Sequence, residues 1–235
     1  MISSLGLIFA PKSPRRVDPD AAREIVSVVR KYGERTSQLS LSEELKVLKQ
    51  EDLSPKLWFT KTAAMLSKTT LRRPLVVGVF QDQSVDEINA AIDNCGLDVV
   101  QLHGEESMEM IDSIRAPCIK VVHVPREDSE QRSLLRSIRD RISLFSGRVV
   151  AIILDTSVRG DRSGGTGVTF DWKFAESLEV PVILAGGLTP SNVADALRVG
   201  GVVGLDVSSG VEASGQPGVK DHGLIRSFIL KRTMG

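Results

Sequence analysis

The chain has 235 residues, of which 41% are hydrophobic and 26% are charged, which is enough to bury the core of one large α/β domain. Thirty basic residues balance thirty acidic ones, so the overall charge favours neither a nucleic-acid partner nor an anionic membrane. No apolar run approaches the roughly 20 residues of a membrane span, and no secretory signal pattern opens the chain, so the sequence predicts a soluble cytoplasmic protein.

Short apolar runs alternate with amphipathic helical stretches, which is the pattern of a parallel sheet with crossover helices. The first run, Leu5–Ala10, precedes a helix predicted over Pro19–Tyr32, with Asp18 as its N-cap and Gly33 beyond its end. Further strands are predicted over Leu75–Phe80, Val99–His103, Ile119–Val124, Val149–Asp155, Val182–Ala185 and Val202–Val207. The helices predicted to follow them are Val85–Asn94, Ser107–Arg115, Glu130–Leu144, Asp171–Leu178, Ser191–Val199 and Asp221–Arg232.

A polar stretch from Glu34 to Arg73 separates the first predicted helix from the second predicted strand, and it is too long for an ordinary connection. It has helical signals of its own, since Ser40–Glu43 ("SLSE") can form a capping box and Ser54 with Pro55 is typical of a helix start. The side chains predicted on one side of that second helix are Leu57, Trp58, Ala64 and Met65. We interpret residues 34–73 as a helical insertion packed on the outside of the domain, with a partner-docking surface as the alternative.

Seven strands alternating with seven helices favour a single parallel (β/α)8 TIM barrel over residues 1–235, with the active site at the C-terminal ends of the strands. A complete barrel has eight strands, so the predicted count is one short. The open alternative, a doubly wound sheet, usually has a Gly-x-Gly-x-x-Gly turn after its first strand. No such turn follows Ala10, which favours the barrel.

Polar residues or glycines stand at the ends of four of the apolar strands, where a parallel barrel has its catalytic face. They are Gln101 and His103 in "VVQLHG", Asp155 in "VVAIILDT", Gly186 and Gly187 in "VILAGG", and Asp206, Ser208, Ser209 and Gly210 in "GLDVSSG". Residues two apart on a strand share a side, so Gln101 and His103 are expected to point the same way, as are Asp206 and Ser208.

Several of these side chains have two readings. Asp155 is either a cap or a proton donor whose pKa is raised by the apolar strand beneath it. His103 is either a structural residue or part of a site, and the sequence leaves His123 undecided. Arg15 and Arg16 form either a solvated turn or, through a guanidinium, a grip on a carboxylate.

The glycines after one strand and the Ser-Ser-Gly after the next are predicted to bind phosphate, because glycine lets backbone N–H groups approach an anion closely. The histidines and cysteines lack the spacing of a zinc site, so no metal is expected. "SGGTG" at Ser163–Gly167 lacks the ending of a Walker loop. The two cysteines, Cys95 and Cys118, are expected to be reduced thiols.

The sequence resembles the phosphoribosylanthranilate isomerase family of tryptophan biosynthesis. The motifs that carry the resemblance run in the family's order over nearly the whole chain: "FAPKSPRRVDP", "VVGVF", "VVQLHGEE", "ILDT", "GGTGVTFDW", "VILAGGLTPSNVADAL", "GLDVSSGVE" and "GVKDHGLI". The residues of these motifs are most similar to those of fungal members, in which this domain is often the last part of a multifunctional polypeptide. The resemblance implies an eight-stranded barrel and an Amadori rearrangement of a phosphorylated sugar without a cofactor.

The resemblance also implies roles for individual residues. Asp155 would be the general acid that protonates the furanose ring oxygen, and Arg15 would hold the anthranilate carboxylate. Asp206 would contact the sugar, while Gln101 and His103 would line the same pocket. The phosphate would be bound by Gly186, Gly187, Ser208, Ser209 and Gly210.

The family pattern places a Lys-Val-Cys-Gly strand and a helix before the "LGLIFAPKS" strand, and its cysteine is the general base. We expect this chain to lack that first βα unit, with Cys95 and Cys118 at the opposite, stabilising end of the barrel and His103 as a conceivable substitute base. The chain alone is then expected to be impaired, because a positioned base contributes about 10²- to 10⁴-fold. The alternatives are a remnant that binds a phosphorylated ligand or scaffolds a pathway partner, and another phosphosugar barrel enzyme.

Overall fold

The computed structural model describes residues 4–33, 41–156 and 169–232. Its strands are β1 (Ser4–Ile8), β2 (Leu75–Phe80), β3 (Val99–Leu102), β4 (Cys118–Val124), β5 (Val149–Thr156), β6 (Val182–Leu184) and β7 (Val202–Leu205). They follow one another in chain order in one sheet, and the described pairs β1–β2, β2–β3, β3–β4, β5–β6 and β6–β7 are parallel. All seven strands predicted from the apolar runs are confirmed, with ends that differ by up to two residues.

Eight α-helices and three short 3₁₀ helices are present in the described ranges. The α-helices are α1 (Pro19–Val29), α2 (Leu41–Leu48), α3 (Pro55–Arg72), α4 (Val85–Cys95), α5 (Met108–Ile111), α6 (Asp128–Phe145), α7 (Val193–Ala196) and α8 (His222–Arg232). The 3₁₀ helices are Trp172–Phe174, Glu176–Leu178 and Ser209–Val211. No helix in the described part of the chain combines the length and apolarity that crossing a bilayer requires.

Contacts divide the chain into two compact units, the first formed by Met1–Lys120 with Leu144–Ala151 and the second by Val121–Ser143 with Ile152–Gly235. The core of the first unit lies on β2 and β3, whose residues are nearly all buried because both strands are apolar apart from Gln101. Asp98 ties its layers together, accepting 2.8 and 2.9 Å hydrogen bonds from the backbone N–H of Val76 and the guanidinium of Arg30. Helix α1 starts at the predicted cap, since Asp18 accepts hydrogen bonds from the N–H groups of Asp20 and Ala21.

Two helices occupy the described part of the segment interpreted as an insertion, although the predicted capping box at Ser40 lies partly outside the described residues. Helix α3 begins after Ser54, whose hydroxyl accepts from the N–H of Leu57. The predicted apolar side of this helix is right for Trp58, which is buried, and wrong for Leu57, which is 44% exposed, and for Ala64, which is exposed. Phe59 and Thr62 are buried beside Trp58. The buried arc includes a threonine because its hydroxyl is satisfied by the carbonyl of Phe59.

Trp58 shows what α3 packs on. Its indole N–H donates a 2.8 Å hydrogen bond to the carbonyl of Val149, and its side chain is almost fully buried. A Trp whose N–H is satisfied inside the core is a packing residue rather than an exposed anchor for a partner.

In the second unit β5 pairs with β6 through Ile153–Ile183 and Leu154–Leu184, and β6 pairs with β7. Three helices here and in the first unit are much shorter than predicted, and α1 ends at Val29 rather than at Tyr32. Residues 171–178 form two 3₁₀ turns in place of an α-helix, because Asp171 accepts from the N–H of Lys173 in a tight local turn and Glu179 is left-handed at φ 58°. The helices predicted over Ser107–Arg115 and Ser191–Val199 shrink to the single turns α5 and α7.

Candidate active site

Asp155 lies near the C-terminal end of β5, a strand in which all eight residues are buried. Its carboxylate packs directly on the backbone of Gly186, where an added Cβ would lie 2.4 Å from Asp155 Oδ1. Gly186 also has φ +78°, a conformation that side chains other than glycine's rarely allow. The sequence at 186 is therefore set by the close approach of the loop after β6 to this acid.

Burial raises the pKa of Asp155 to about 6. His123 lowers this pKa as a neighbouring charge, the Asp206 carboxylate raises it, and a hydrogen bond from the N–H of Thr156 lowers it. Burial is the largest of these effects. A carboxyl with this pKa exchanges its proton near neutral pH, which an ordinary surface aspartate does not do.

The loops that follow β6 and β7 touch each other. An added Cβ on Gly210 would lie only 1.8 Å from the carbonyl oxygen of Leu188, so the two backbones meet where only glycine fits. The loop after β6 is held by Asn192, whose amide donates to the carbonyl of Gly187 at 3.0 Å and accepts from the N–H of Thr189 at 2.8 Å. Within the second unit, the loop that contains Gly186 and Gly187 thus contacts the backbone at Gly210.

Asp206 follows β7, and its N–H donates to the carbonyl of Leu184 at 2.8 Å, which extends the β6–β7 pairing by one residue. Its side chain is exposed rather than buried. The Asp206 carboxylate is nevertheless close enough to influence the pKa of Asp155. The structure therefore gathers the acid and Asp206 in the same part of the second unit.

In the first unit Gln101 is buried in β3, in register with Val79 of β2 and Ile119 of β4. His103 follows directly after β3, and its N–H donates to the carbonyl of Phe80 at 2.9 Å. The parallel pattern continues to this point, and the two-residue spacing predicts that Gln101 and His103 lie on one side of the strand.

Comparison with known proteins identifies the family. The sequence model of N-(5'phosphoribosyl)anthranilate (PRA) isomerase matches residues 34–231. The chain belongs to the PRA isomerase family. Over 96% of its length it is 42% identical to the tryptophan biosynthesis protein TRP1 of Phytophthora nicotianae, and over 97% it is 36% identical to a multifunctional tryptophan biosynthesis protein of Phycomyces blakesleeanus. It spans 42% and 29% of those two proteins.

A solved PRA isomerase, crystallised in complex with reduced 1-(o-carboxyphenylamino)-1-deoxyribulose 5-phosphate, superposes with a TM-score of 0.63 at 27% identity. The match covers 99% of this chain and 88% of that one. The fold is accordingly the TIM-barrel-like α/β fold of the PRA isomerase family, as predicted.

The PRA isomerase motif "VQLHGEE" contains an ionic group that the sequence reading missed. Lys120 of β4 donates 2.6 Å hydrogen bonds to the Glu106 carboxylate and to the carbonyl of Gly104, and both charged side chains are almost completely buried. Glu106 in turn accepts from the N–H groups of Gly104 and Asp82. The pair thus forms hydrogen bonds with both the backbone N–H and the carbonyl of Gly104, the residue after His103. The signal was present, since a lysine inside the apolar strand "CIKVVHV" needs a buried partner.

Arg15, which family resemblance assigns to the anthranilate carboxylate, lies in the turn between β1 and α1. The N–H of Ser13 donates to the carbonyl of Ala10, and the N–H of Arg15 donates to the hydroxyl of Ser13. Arg15 is half-buried and Arg16 is exposed. The backbone forms a turn here, and the role of Arg15 in binding a carboxylate stays a prediction.

Both cysteines are poor candidates for the family's general base. Cys118 stands at the start of β4, where burial raises its pKa to about 12. Cys95 is the last residue of α4, and burial raises its pKa also. Both lie at the positions expected from the sequence, at the beginning of a strand and the end of a helix.

Proposed function

We propose that this chain isomerises N-(5-phospho-β-D-ribosyl)anthranilate to 1-(2-carboxyphenylamino)-1-deoxy-D-ribulose 5-phosphate, the Amadori step of tryptophan biosynthesis. Family membership supports the reaction class. A structural neighbour solved with a reduced form of this product supports the substrate. The observation that carries the proposal is Asp155, a buried carboxyl with a pKa of about 6 packed against the glycine loop.

Asp155 acts as the general acid. Its proton passes to the furanose ring oxygen as the C1–O bond breaks, and the anilinic nitrogen lone pair forms the C1=N bond of a Schiff base. Loss of the C2 proton then gives an enolamine, which tautomerises to the ketose. A carboxyl that is partly protonated near pH 6 is matched to the first step, because the ideal acid has a pKa close to the working pH.

The phosphate is bound by Gly186, Gly187, Ser208, Ser209 and Gly210. Their support is the contact between the two loops through Gly210 and Leu188, together with the left-handed conformations of Gly186 and Gly187. These glycines carry no side chain of their own that would shield their backbone N–H groups.

The remaining assignments are carried over by motif. Asp206 contacts the sugar, Arg15 binds the anthranilate carboxylate through its guanidinium, and Gln101 and His103 line the pocket. No cofactor is required by this chemistry, since protons alone are moved.

We assign the general base to neither cysteine, because thiols with raised pKa values carry little thiolate at neutral pH. This same observation favours a second candidate function, a domain that binds a phosphorylated ligand without turning it over.

Some relatives contain this domain within a multifunctional tryptophan biosynthesis protein. They support a further part of the proposal, that the chain works fused to or beside other enzymes of the pathway. Residues 34–73 are a helical insertion in this proposal.

The test is turnover of the phosphoribosylanthranilate by the full chain and by Asp155→Asn, followed by chromatographic separation of substrate and product. We expect the variant to lose about 10²- to 10⁴-fold in turnover while binding of inorganic phosphate is retained. Asp140→Asn, an exposed change on α6, is the matched control. Undiminished turnover by Asp155→Asn would refute the acid, and phosphate binding without turnover by the unaltered chain would establish the second candidate.

A further inference from the structure

Lys220 contacts the predicted phosphate loop at Ser208. It lies just before α8, where it faces Glu212 across an isolated antiparallel bridge. Backbone hydrogen bonds from Ala213 to Val219 at 2.8 Å and from Asp221 to Val211 at 2.9 Å close this small hairpin. The position of Lys220 is therefore fixed relative to the residues that follow Gly210.

The Lys220 ammonium uses its three donors within the second unit. It donates to the carbonyl of Ser208 at 2.9 Å, to the hydroxyl of Ser208 at 3.3 Å and to the carboxylate of Glu212 at 2.9 Å. The Glu212 side chain is only 7% exposed and also accepts from the N–H of Gly218, whereas the Lys220 side chain is 37% exposed. Glu212 thus anchors the ammonium from the buried side and leaves part of it open.

These contacts set the direction of two donors of the loop. The peptide bond between Ser208 and Ser209 is planar and trans, so holding the Ser208 carbonyl on Lys220 turns the N–H of Ser209 the opposite way. The Ser208 hydroxyl accepts from the ammonium and so keeps its own proton for another acceptor. A cation that occupies the acceptor sites of Ser208 converts this residue into a donor.

We propose that Lys220 is a positioning residue for the phosphate of the substrate. It orients Ser208 and Ser209 as hydrogen-bond donors and supplies positive charge beside a dianion that otherwise meets uncharged glycine and serine groups. The inference deepens the proposed function and rests on its assignment of Ser208, Ser209 and Gly210 to the phosphate.

The experiment titrates the full chain with inorganic phosphate by calorimetry and measures kcat and KM for the phosphoribosylanthranilate. Lys220→Met is expected to weaken phosphate binding about tenfold, to raise KM by a similar factor and to leave kcat nearly unchanged, since a charge-assisted contact to the ground-state phosphate is lost. Lys220→Arg should restore binding to within about threefold. The matched control is Lys173→Met, an exposed lysine of the same unit.

Glu212→Gln separates positioning from simple bracing of the hairpin. The amide oxygen can still accept from Lys220 and Gly218, but the negative charge beside the ammonium is gone, so phosphate should bind more tightly and with a steeper dependence on salt. A brace would instead be weakened by this change as by Lys220→Met. Equal phosphate affinity and equal salt dependence in Lys220→Met and the unaltered chain would overturn the inference.

The outcomes also separate this inference from the proposed function. If phosphate binding depends on Lys220 but no isomer forms, Lys220 keeps its role and the isomerase assignment fails. If the isomer forms and Lys220→Met has an unchanged KM, the isomerase assignment stands and the role of Lys220 is wrong. If the unaltered chain neither binds phosphate nor forms the isomer, both are wrong.

Discussion

The raised pKa of Asp155 predicts that ionisation of this carboxyl destabilises the folded protein. The folded chain holds the proton until about pH 6, whereas the unfolded chain releases it near the ordinary value of 3.8. Between these values the folded state binds more protons, so the stability contributed by this group falls as the pH rises from about 4 to about 6. Above that range the carboxylate is charged while it is still buried at the end of β5 against Gly186.

The magnitude follows from the two pKa values. Their difference corresponds to about 3 kcal/mol at pH 8 and to about 1 kcal/mol at pH 4.5, where only part of the unfolded-state ionisation has occurred. Asp155→Asn has no charge to bury and escapes this cost. We expect the variant to gain about 2 kcal/mol relative to the unaltered chain between pH 4.5 and pH 8, even as its turnover falls.

The assay is urea unfolding at both pH values. Tryptophan fluorescence suits it, because Trp58 is buried in the first unit and Trp172 is half-buried in the second. Asp140→Asn serves as control, since an exposed aspartate should shift stability equally at the two pH values. The reasoning is refuted if the difference between Asp155→Asn and the unaltered chain is the same at pH 4.5 and pH 8, or if it grows with the opposite sign.

Two further substitutions test the packing around the site. Gly210→Ala forces a Cβ against the carbonyl of Leu188 at 1.8 Å, so we expect a loss of about 2–4 kcal/mol in urea unfolding and more than tenfold weaker phosphate binding by calorimetry; unchanged affinity would show that the loops do not need this approach. Lys120→Met leaves the Glu106 carboxylate buried without its cation and should cost about 3–5 kcal/mol in urea unfolding, while adding Glu106→Leu should recover part of that loss. A double variant no more stable than the single one would contradict this account of the pair that grips Gly104.

The strands were predictable because an apolar run leaves little choice of structure. Leu75–Phe80 is observed with the predicted bounds, since its residues are apolar apart from one glycine and it is flanked by Pro74 and Gln81. Helix starts were equally local: Asp18 and Ser54 cap α1 and α3 through their own side chains, as their sequence neighbours indicate. In both cases a few adjacent residues decide the outcome.

The errors arose where a partner distant in sequence decides the outcome. On α3 the pattern placed Leu57 and Ala64 on the same side as Trp58, but only Trp58 points inward, where its indole N–H reaches a carbonyl on β5. The burial of Lys120 can be explained only once its hydrogen bonds to Glu106 and to the carbonyl of Gly104 are known. Periodicity describes one element at a time and cannot supply these contacts.

Gly186, which has no Cβ, contacts the proposed acid and is part of the proposed phosphate loop. Gly186 lies against the Asp155 carboxylate at a distance that no Cβ permits, and the same residue opens the loop whose N–H groups are assigned to the phosphate. In the proposed function, the absence of a side chain at Gly186 lets this loop pack against the acid and also lets its backbone N–H approach the phosphate. Because both contacts depend on one backbone position, the proposed function predicts a fixed separation between the proton donor and the phosphate loop, as a reaction at C1 of a 5-phosphorylated sugar requires.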